Sequence, residues 1–195
     1  MLAEARRLGW IGQGPLEDQV RHAGAFTQLL GEGPGVVFDL GSGGGLPALP
    51  AAVAAPAWSW VLVESQLRRA DHLRSAVRRL DLGDRVEVLH ARAEDVGRDP
   101  ARRGTADAVT ARSFGPPALV AECAAPLLRV GGRLLVSEPP GGPDRWPPEG
   151  LAVLGLGPAE PSTIEGRHFV TLRSVAPTAA TYPRRSRVHG RRPLF

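Results

Sequence analysis

The chain has 195 residues, of which 43% are hydrophobic, and a net charge of +4, which suits one globular domain with a substantial core. All 24 basic residues are arginine, and the lack of lysine excludes a P-loop, a pyridoxal Schiff base and a protein kinase. The single cysteine, Cys123, excludes an intrachain disulfide, and no apolar run reaches the roughly 18 residues of a membrane span, so we expect a cytoplasmic protein without membrane contact.

Strand and helix patterns alternate along the chain after a lead-in that is helical at best. Strand patterns lie at 35–40, 58–64, 85–91, 106–112 and 132–138, and helical patterns lie at 46–55, 65–82 and 116–128. Two weaker strand patterns, at 151–157 and 167–175, follow a loop rich in proline and glycine at 138–150. This alternation predicts an α/β fold, with a mostly parallel sheet, helices on both faces and an antiparallel hairpin at the C-terminal edge.

Three segments are expected along the chain: a helical lead-in (1–34), a main domain (35–180) and a basic tail (181–195). The five histidines show no metal-ligand spacing, so we expect no metal site. His72 is expected on the solvent side of its helix.

A cluster of glycines follows the first strand, in the sequence FDLGSGGGLP at 38–47. Glycine costs roughly 0.5–1 kcal/mol relative to alanine inside a helix or strand, so the cluster indicates a tight turn or a close approach of the backbone to a ligand. A dinucleotide fold favours G-x-G-x-x-G. The D-x-G-x-G-x-G spacing here is closer to class I methyltransferases, in which Gly41, Ser42 and Gly43 would cradle the methionine and ribose of S-adenosylmethionine.

Two acidic residues support a nucleotide-like ligand. Glu64 closes the second strand, where a carboxylate can accept both ribose hydroxyls. In HARAEDV at 90–96, the backbone of Ala93 and the side chain of Glu94 could bind the adenine edge, although an acid-rich helix start would give the same pattern.

The resemblance to a known family rests on several stretches together. These are FDLGSGGGLPALPAAVA, RAED, TARSF, LLRVGGRLLV and VAPTAATYPRRSRVHGRRPLF. They resemble the RsmG (GidB) family, bacterial methyltransferases that methylate N7 of a guanine in small-subunit ribosomal RNA. The resemblance implies a Rossmann-like class I methyltransferase fold with a seven-stranded sheet, and S-adenosylmethionine as cofactor. It implies cofactor contacts from Gly41, Leu46, Ala93, Glu94 and Arg112.

The resemblance also implies RNA contacts. The stretch VRHAGAFTQLL at 20–30 is similar to the family's RHxxDSLxLL helix. His22 matches the histidine of that motif and is therefore a candidate RNA contact. This chain has Ala25 where the family has an acid and Glu138 where it usually has a lysine. Both departures fall where contacts with RNA are expected.

The tail carries five arginines and no acid, as expected of a segment that binds RNA phosphates. The candidate RNA contacts here are Arg184, Arg185, Arg187, Arg191 and Arg192. A solvated terminus is the alternative.

Methylation at N7 of guanine needs placement and no strong general base, so no catalytic base is assigned and Arg112 is the candidate for positioning. A monomer acting on ribosomal RNA or the small subunit is expected. A small-molecule methyltransferase and a non-catalytic protein that binds S-adenosylmethionine or RNA remain alternatives.

Overall fold

The computed structural model describes residues 1–140, 142–185 and 192–195. Within them, seven strands form one sheet in the order β3-β2-β1-β4-β5-β7-β6. The strands are β1 (Gly35–Leu40), β2 (Trp58–Glu64), β3 (Val86–His90), β4 (Ala106–Ala111), β5 (Leu128–Glu138), β6 (Glu160–Ile164) and β7 (Arg167–Arg173).

The described helices connect these strands. They are α1 (Leu2–Arg7), α2 (Leu16–Leu30), α3 (Ala48–Ala54), α4 (Leu67–Arg79), α5 (Ala93–Arg98), α6 (Pro117–Ala124) and α7 (Pro148–Ala152). Short 3₁₀ turns lie at Ala125–Leu127 and Gly142–Arg145. In the described part of the chain, no helix has both the length and the apolar character needed to cross a bilayer.

The first five strands run parallel, and β7 pairs antiparallel with β5 and β6. This mixed seven-stranded sheet confirms the predicted fold class. The chain moves from β1 outward to β3 and then returns, so that β4 lies on the other side of β1. Ligands of open α/β sheets bind at such a reversal, outside the carboxyl ends of the strands.

Alternating side chains of the strands build a core on each face of the sheet. Trp60 and Leu62 of β2 face the layer of α2, α3 and α4, whereas Val61 and Val63 face the layer of α5 and α6. Helices therefore cover both faces, as the alternation of strands and helices predicted.

The hairpin prediction was wrong in one strand. The stretch 151–157 forms the end of α7 and a turn, and the strand paired with β7 is β6. Leu151, Leu154 and Leu156 are buried in the core, and a short apolar run of this kind resembles a strand pattern. The true strand, EPSTI, lies at the sheet edge and is largely exposed, so it lacks the apolar alternation by which strands are recognised.

Candidate functional site

Three cavities meet outside the carboxyl ends of β1 and β4, where the strand order reverses. We call them the turn cavity, the α5 cavity and the α2 cavity. The turn cavity has a volume of about 340 Å³ and lies between the glycine turn and the segment that follows α1. The α5 cavity has about 190 Å³, and the α2 cavity has about 490 Å³.

The glycine turn is held by hydrogen bonds from its own backbone to β2. The N–H groups of Gly41 and Ser42 donate to the carbonyl of Val63 at 2.9 and 3.1 Å. The N–H of Gly43 donates to Oε2 of Glu64 at 2.9 Å. Gly41 and Gly43 have φ values of +68° and +53°, in the left-handed region where a side chain is disfavoured. The glycines are therefore needed for the turn itself.

Glu64 connects the turn to the start of α4. Its carboxylate is buried, and its second oxygen accepts from the N–H of Gln66 at 2.8 Å. A carboxylate has about four acceptor positions, so two backbone bonds leave positions for ribose hydroxyls. The proposed ribose contact stays a prediction, and the structure adds that Glu64 shapes the turn.

The lead-in forms the outer wall of the turn cavity. A Cβ placed on Gly44 would lie 2.6 Å from Ile11 and 2.8 Å from Ala5, so only glycine allows this close packing. The ring of Trp10 packs edge-on against His72, with centroids 5.3 Å apart. The expectation that His72 faces solvent was wrong, because its side chain is only 9% exposed beneath the lead-in. Burial lowers the pKa of His72.

Ala93 and Glu94 line the α5 cavity together with Gly41. Both lie in the first turn of α5, and both are buried. Glu94 accepts a hydrogen bond from Arg92 at 3.1 Å. Leu46 lines the turn cavity instead, at its inner wall. The eight predicted cofactor residues thus surround the carboxyl ends of β1, β2, β3 and β4.

Phe114 and Trp10 line the site but were not assigned a role from the sequence. Phe114 lines both the α5 cavity and the α2 cavity, and its ring lies 2.7 Å from the position of a Cβ on Gly41. The preceding residue, Ser113, has a φ of +55°. Phe114 could have been found from the sequence, because it directly follows the TARS stretch at the end of β4. Trp10 could not, because its place in the site depends on packing against residues about 60 positions away in the chain.

Arg112 and His22 lie together in the wall of the α2 cavity. Arg112 donates to Gln19 of α2 through Nη2, and its Nη1 is buried without a partner in the described residues. Nε2 of His22 is likewise buried and unpartnered there. Burial, with Arg112 and Arg167 nearby, lowers the pKa of His22 to about 4, so its ring is neutral at pH 7.

Asp39 lies beneath the turn, at the end of β1. Its Oδ1 accepts from the hydroxyl of Thr110 at 2.7 Å, which ties β1 to β4. Burial raises the pKa of Asp39 to about 6. The side chain is almost fully buried, so it supports the turn from below.

The tail packs against α6. Arg184 donates to both carboxylate oxygens of the buried Glu122, at 2.8 and 2.7 Å. Arg185 and Arg192 are exposed. Arg187 and Arg191 lie outside the described residues. The predicted RNA-binding arginines therefore differ in setting, since the head group of Arg184 is held by the protein.

No cluster of three or more potential metal-ligating side chains occurs in residues 1–140, 142–185 and 192–195.

Comparisons with known proteins agree with this geometry. A family model described as rRNA small subunit methyltransferase G matches residues 23–138. A protein named ribosomal RNA small subunit methyltransferase G from Roseiflexus sp. is 43% identical over 171 residues, covering 84% of this chain and 73% of the relative. A protein of the same name from Chloroflexus aggregans is 40% identical over 173 residues, covering 83% and 70%.

A solved structure shows the same fold. An RNA methyltransferase from Salinibacter ruber in complex with S-adenosyl-L-homocysteine superimposes with a TM-score of 0.58 at 18% identity, covering 82% of this chain and 92% of that one. The fold is that of the class I methyltransferases, and the similarity in sequence extends over most of the chain. The chain therefore belongs to the ribosomal RNA small subunit methyltransferase G family.

Proposed function

We propose that this protein is an S-adenosylmethionine-dependent methyltransferase that methylates N7 of a guanine in small-subunit ribosomal RNA. The observation that carries the proposal is the hydrogen bond from Gly43 to Glu64, which joins the glycine turn to the acid of β2 at the reversal of strand order. The family supports ribosomal RNA as the substrate.

The residues of the site fit S-adenosylmethionine. The turn cavity leaves room for a ligand beside the backbone of the glycine turn, and the oxygens of Glu64 retain acceptor capacity for ribose hydroxyls. Gly41, Ser42 and Gly43 would hold the methionine and ribose portion, and Ala93 with Glu94 would hold the adenine. When bound, the cofactor supplies a methyl carbon on a sulfonium, which N7 accepts as the carbon–sulfur bond breaks.

The chain's own residues then supply placement of the two reactants. N7 of guanine carries a lone pair and no proton, so no side chain has to act as a general base. Arg112 lies in the walls of both the turn cavity and the α2 cavity, between the cofactor residues and the roughly 490 Å³ of the α2 cavity. Holding two reactants in line can provide most of the rate enhancement of such a transfer.

The exposed arginines of the tail are assigned to RNA phosphates. Arg185 and Arg192 are available for this role, and Arg187 and Arg191 are further candidates by sequence. Such contacts position an RNA without reading its sequence.

Transfer of tritium from labelled S-adenosylmethionine tests the proposal. Small subunits, bare ribosomal RNA and a cell extract are offered in parallel, and the label is then located by nuclease digestion. We expect label in small-subunit RNA as 7-methylguanosine. Label confined to small molecules, or no transfer to any fraction, contradicts the proposal.

A further inference from the structure

The turn cavity carries positive charge without a matching acid. Among the described residues that line it, the charged ones are Arg69 and Arg112. Arg112 donates to Gln19 of α2. Arg69 is half-buried, its Nε is buried without a hydrogen-bond partner, and it forms no ion pair in the part of the chain that the structure describes. One guanidinium at this cavity therefore has no counter-ion among those residues.

The acids nearest to Arg69 in sequence are occupied elsewhere. Arg69 lies in the first turn of α4, shortly after Glu64 at the end of β2. Both oxygens of Glu64 accept backbone N–H groups, and Asp71 accepts from Arg74 at 2.8 Å. A half-buried charge without a partner is unfavourable, and an anionic ligand that pairs with it offsets that penalty. The setting of Arg69 therefore favours an anion in the turn cavity.

S-adenosylmethionine has one anionic group, the carboxylate of its methionine portion. The glycines proposed to hold that portion, Gly41 and Gly43, line the same cavity as Arg69. An arginine guanidinium binds a carboxylate through two parallel N–H bonds. Trp10 and Ile11 of the lead-in form the outer wall of the cavity, so an ion pair there is screened less than in open solvent. The position of Arg69 therefore matches the carboxylate of the cofactor.

We propose that Arg69 binds the carboxylate of S-adenosylmethionine, and that this ion pair orients the methionine portion beside the glycine turn. The inference rests on the proposed function, because it concerns the cofactor of the proposed reaction. None of the cofactor residues expected from the sequence lies in α4, so Arg69 adds a contact from a further element. The carboxylate also supplies an acceptor to a guanidinium that has none among the described residues.

The test measures the binding of two ligands that differ only in the carboxylate. One is S-adenosylhomocysteine, and the other is its decarboxylated analogue, which keeps the amine, the thioether and the adenosine. Isothermal calorimetry gives the dissociation constants of both ligands for wild type, Arg69→Gln and Arg69→Lys. Arg68→Gln is the matched control, because Arg68 is the neighbouring residue of α4, is exposed, and is not among the described residues that line the turn cavity.

We expect wild type and Arg68→Gln to bind S-adenosylhomocysteine more tightly than the analogue. Arg69→Gln should lose about 10- to 100-fold in affinity for S-adenosylhomocysteine, as expected for the loss of hydrogen bonds to a charged group. The same variant should bind the analogue at least as tightly as wild type does, so its preference for the carboxylate should disappear. Arg69→Lys keeps the charge but loses the planar pair of donors, so it should retain part of the preference.

Two results overturn the inference. One is a ratio of the two affinities in Arg69→Gln that equals the ratio of wild type, whether neither ligand is affected or a merely structural change weakens both alike. The other is a wild-type protein that binds the two ligands equally. Failure of the proposed function is distinct, because wild type would then bind neither ligand, and the inference would fall with it.

Discussion

At the scale of single residues, Glu64 and the glycines form one unit. The carboxylate accepts from the N–H groups of Gly43 and Gln66, so the same side chain that is proposed to hold the ribose also fixes the turn around it. Binding and local folding are therefore coupled at this point. A change in the turn should be visible in cofactor affinity before it is visible in the rest of the sheet.

Gly43→Val tests that coupling. Its φ of +53° would cost about 1–2 kcal/mol with a side chain present, and relief of the strain would move the N–H away from Glu64. We expect calorimetry to show no binding of S-adenosylhomocysteine by this variant, with the fold retained in circular dichroism. Gly83→Val, at a glycine with open space around its Cβ, is the control. Normal binding by Gly43→Val would mean that the turn is only structural.

At the scale of elements, the lead-in completes the turn cavity. The segment after α1 contributes Trp10 and Ile11 to the wall, and Trp10 is anchored by the ring of His72 on α4. A ligand in this cavity is therefore enclosed by parts of the chain far apart in sequence.

Trp10→Ala should open the cavity wall while leaving the sheet intact. We expect a loss of S-adenosylhomocysteine affinity of roughly tenfold, since an aromatic contact with its buried area contributes on the order of 1–2 kcal/mol. Isothermal calorimetry measures the loss, and Trp146→Phe, in the core away from this cavity, serves as a stability control. Unchanged affinity in Trp10→Ala would exclude a role of the Trp10 side chain in binding.

The tail is a second element, and its arginines have two different roles: Arg184 stabilises the fold, whereas Arg185 is assigned to RNA. Arg184→Ala removes the two side-chain hydrogen bonds from Arg184 to the buried Glu122 and should lower the free energy of unfolding by about 3 kcal/mol. Arg185→Ala should leave stability unchanged, weaken RNA binding across sequences, and reduce the slope of log affinity against log salt by about 0.7. Denaturant unfolding and filter binding at several salt concentrations separate the two effects. If the two variants showed the same loss of stability and the same loss of RNA affinity, the assignment of separate roles to Arg184 and Arg185 would be wrong.

At the scale of the whole molecule, the half-buried His22 and the buried Asp39 act on stability in opposite directions as pH changes. The pKa of His22 is lowered to about 4 from 6.5, so the unfolded chain binds more protons between those values and stability is lost as pH falls through that window. The pKa of Asp39 is raised to about 6 from 3.8, so stability is gained as pH falls from 6 toward 4. The two effects therefore partly cancel in the pH dependence of the total unfolding free energy.

His22→Phe isolates the histidine. The new ring can pack against Phe26 and Phe169, which already contact the imidazole at centroid distances of 5.9 and 5.4 Å. We expect the difference in unfolding free energy between variant and wild type to be constant above pH 7 and to shift in favour of the variant as pH falls from 6.5 to 4. Urea unfolding at half-unit pH steps measures this difference. A difference independent of pH would mean that His22 titrates normally.

The sequence by itself determined the parallel part of the sheet, its ligand edge and the glycine turn beside Glu64, because each depends on local information. The buried run of β1, the glycines after it and Glu64 lie within 30 residues, and a βαβ unit brings them together in any parallel sheet. Hydrophobic periodicity did not predict the strand where the side chains are exposed, as in the edge strand β6.

Only the tertiary structure decided what depends on contacts between distant segments. The packing of the lead-in over His72, the pairing of Arg184 with Glu122 and the hydrogen bond from Arg112 to Gln19 join residues on separate elements. The sequence alone does not show whether a charged side chain lies in solvent or is paired with a buried partner. The fold alone sets its burial and its partners, and through them its pKa and its chemical role.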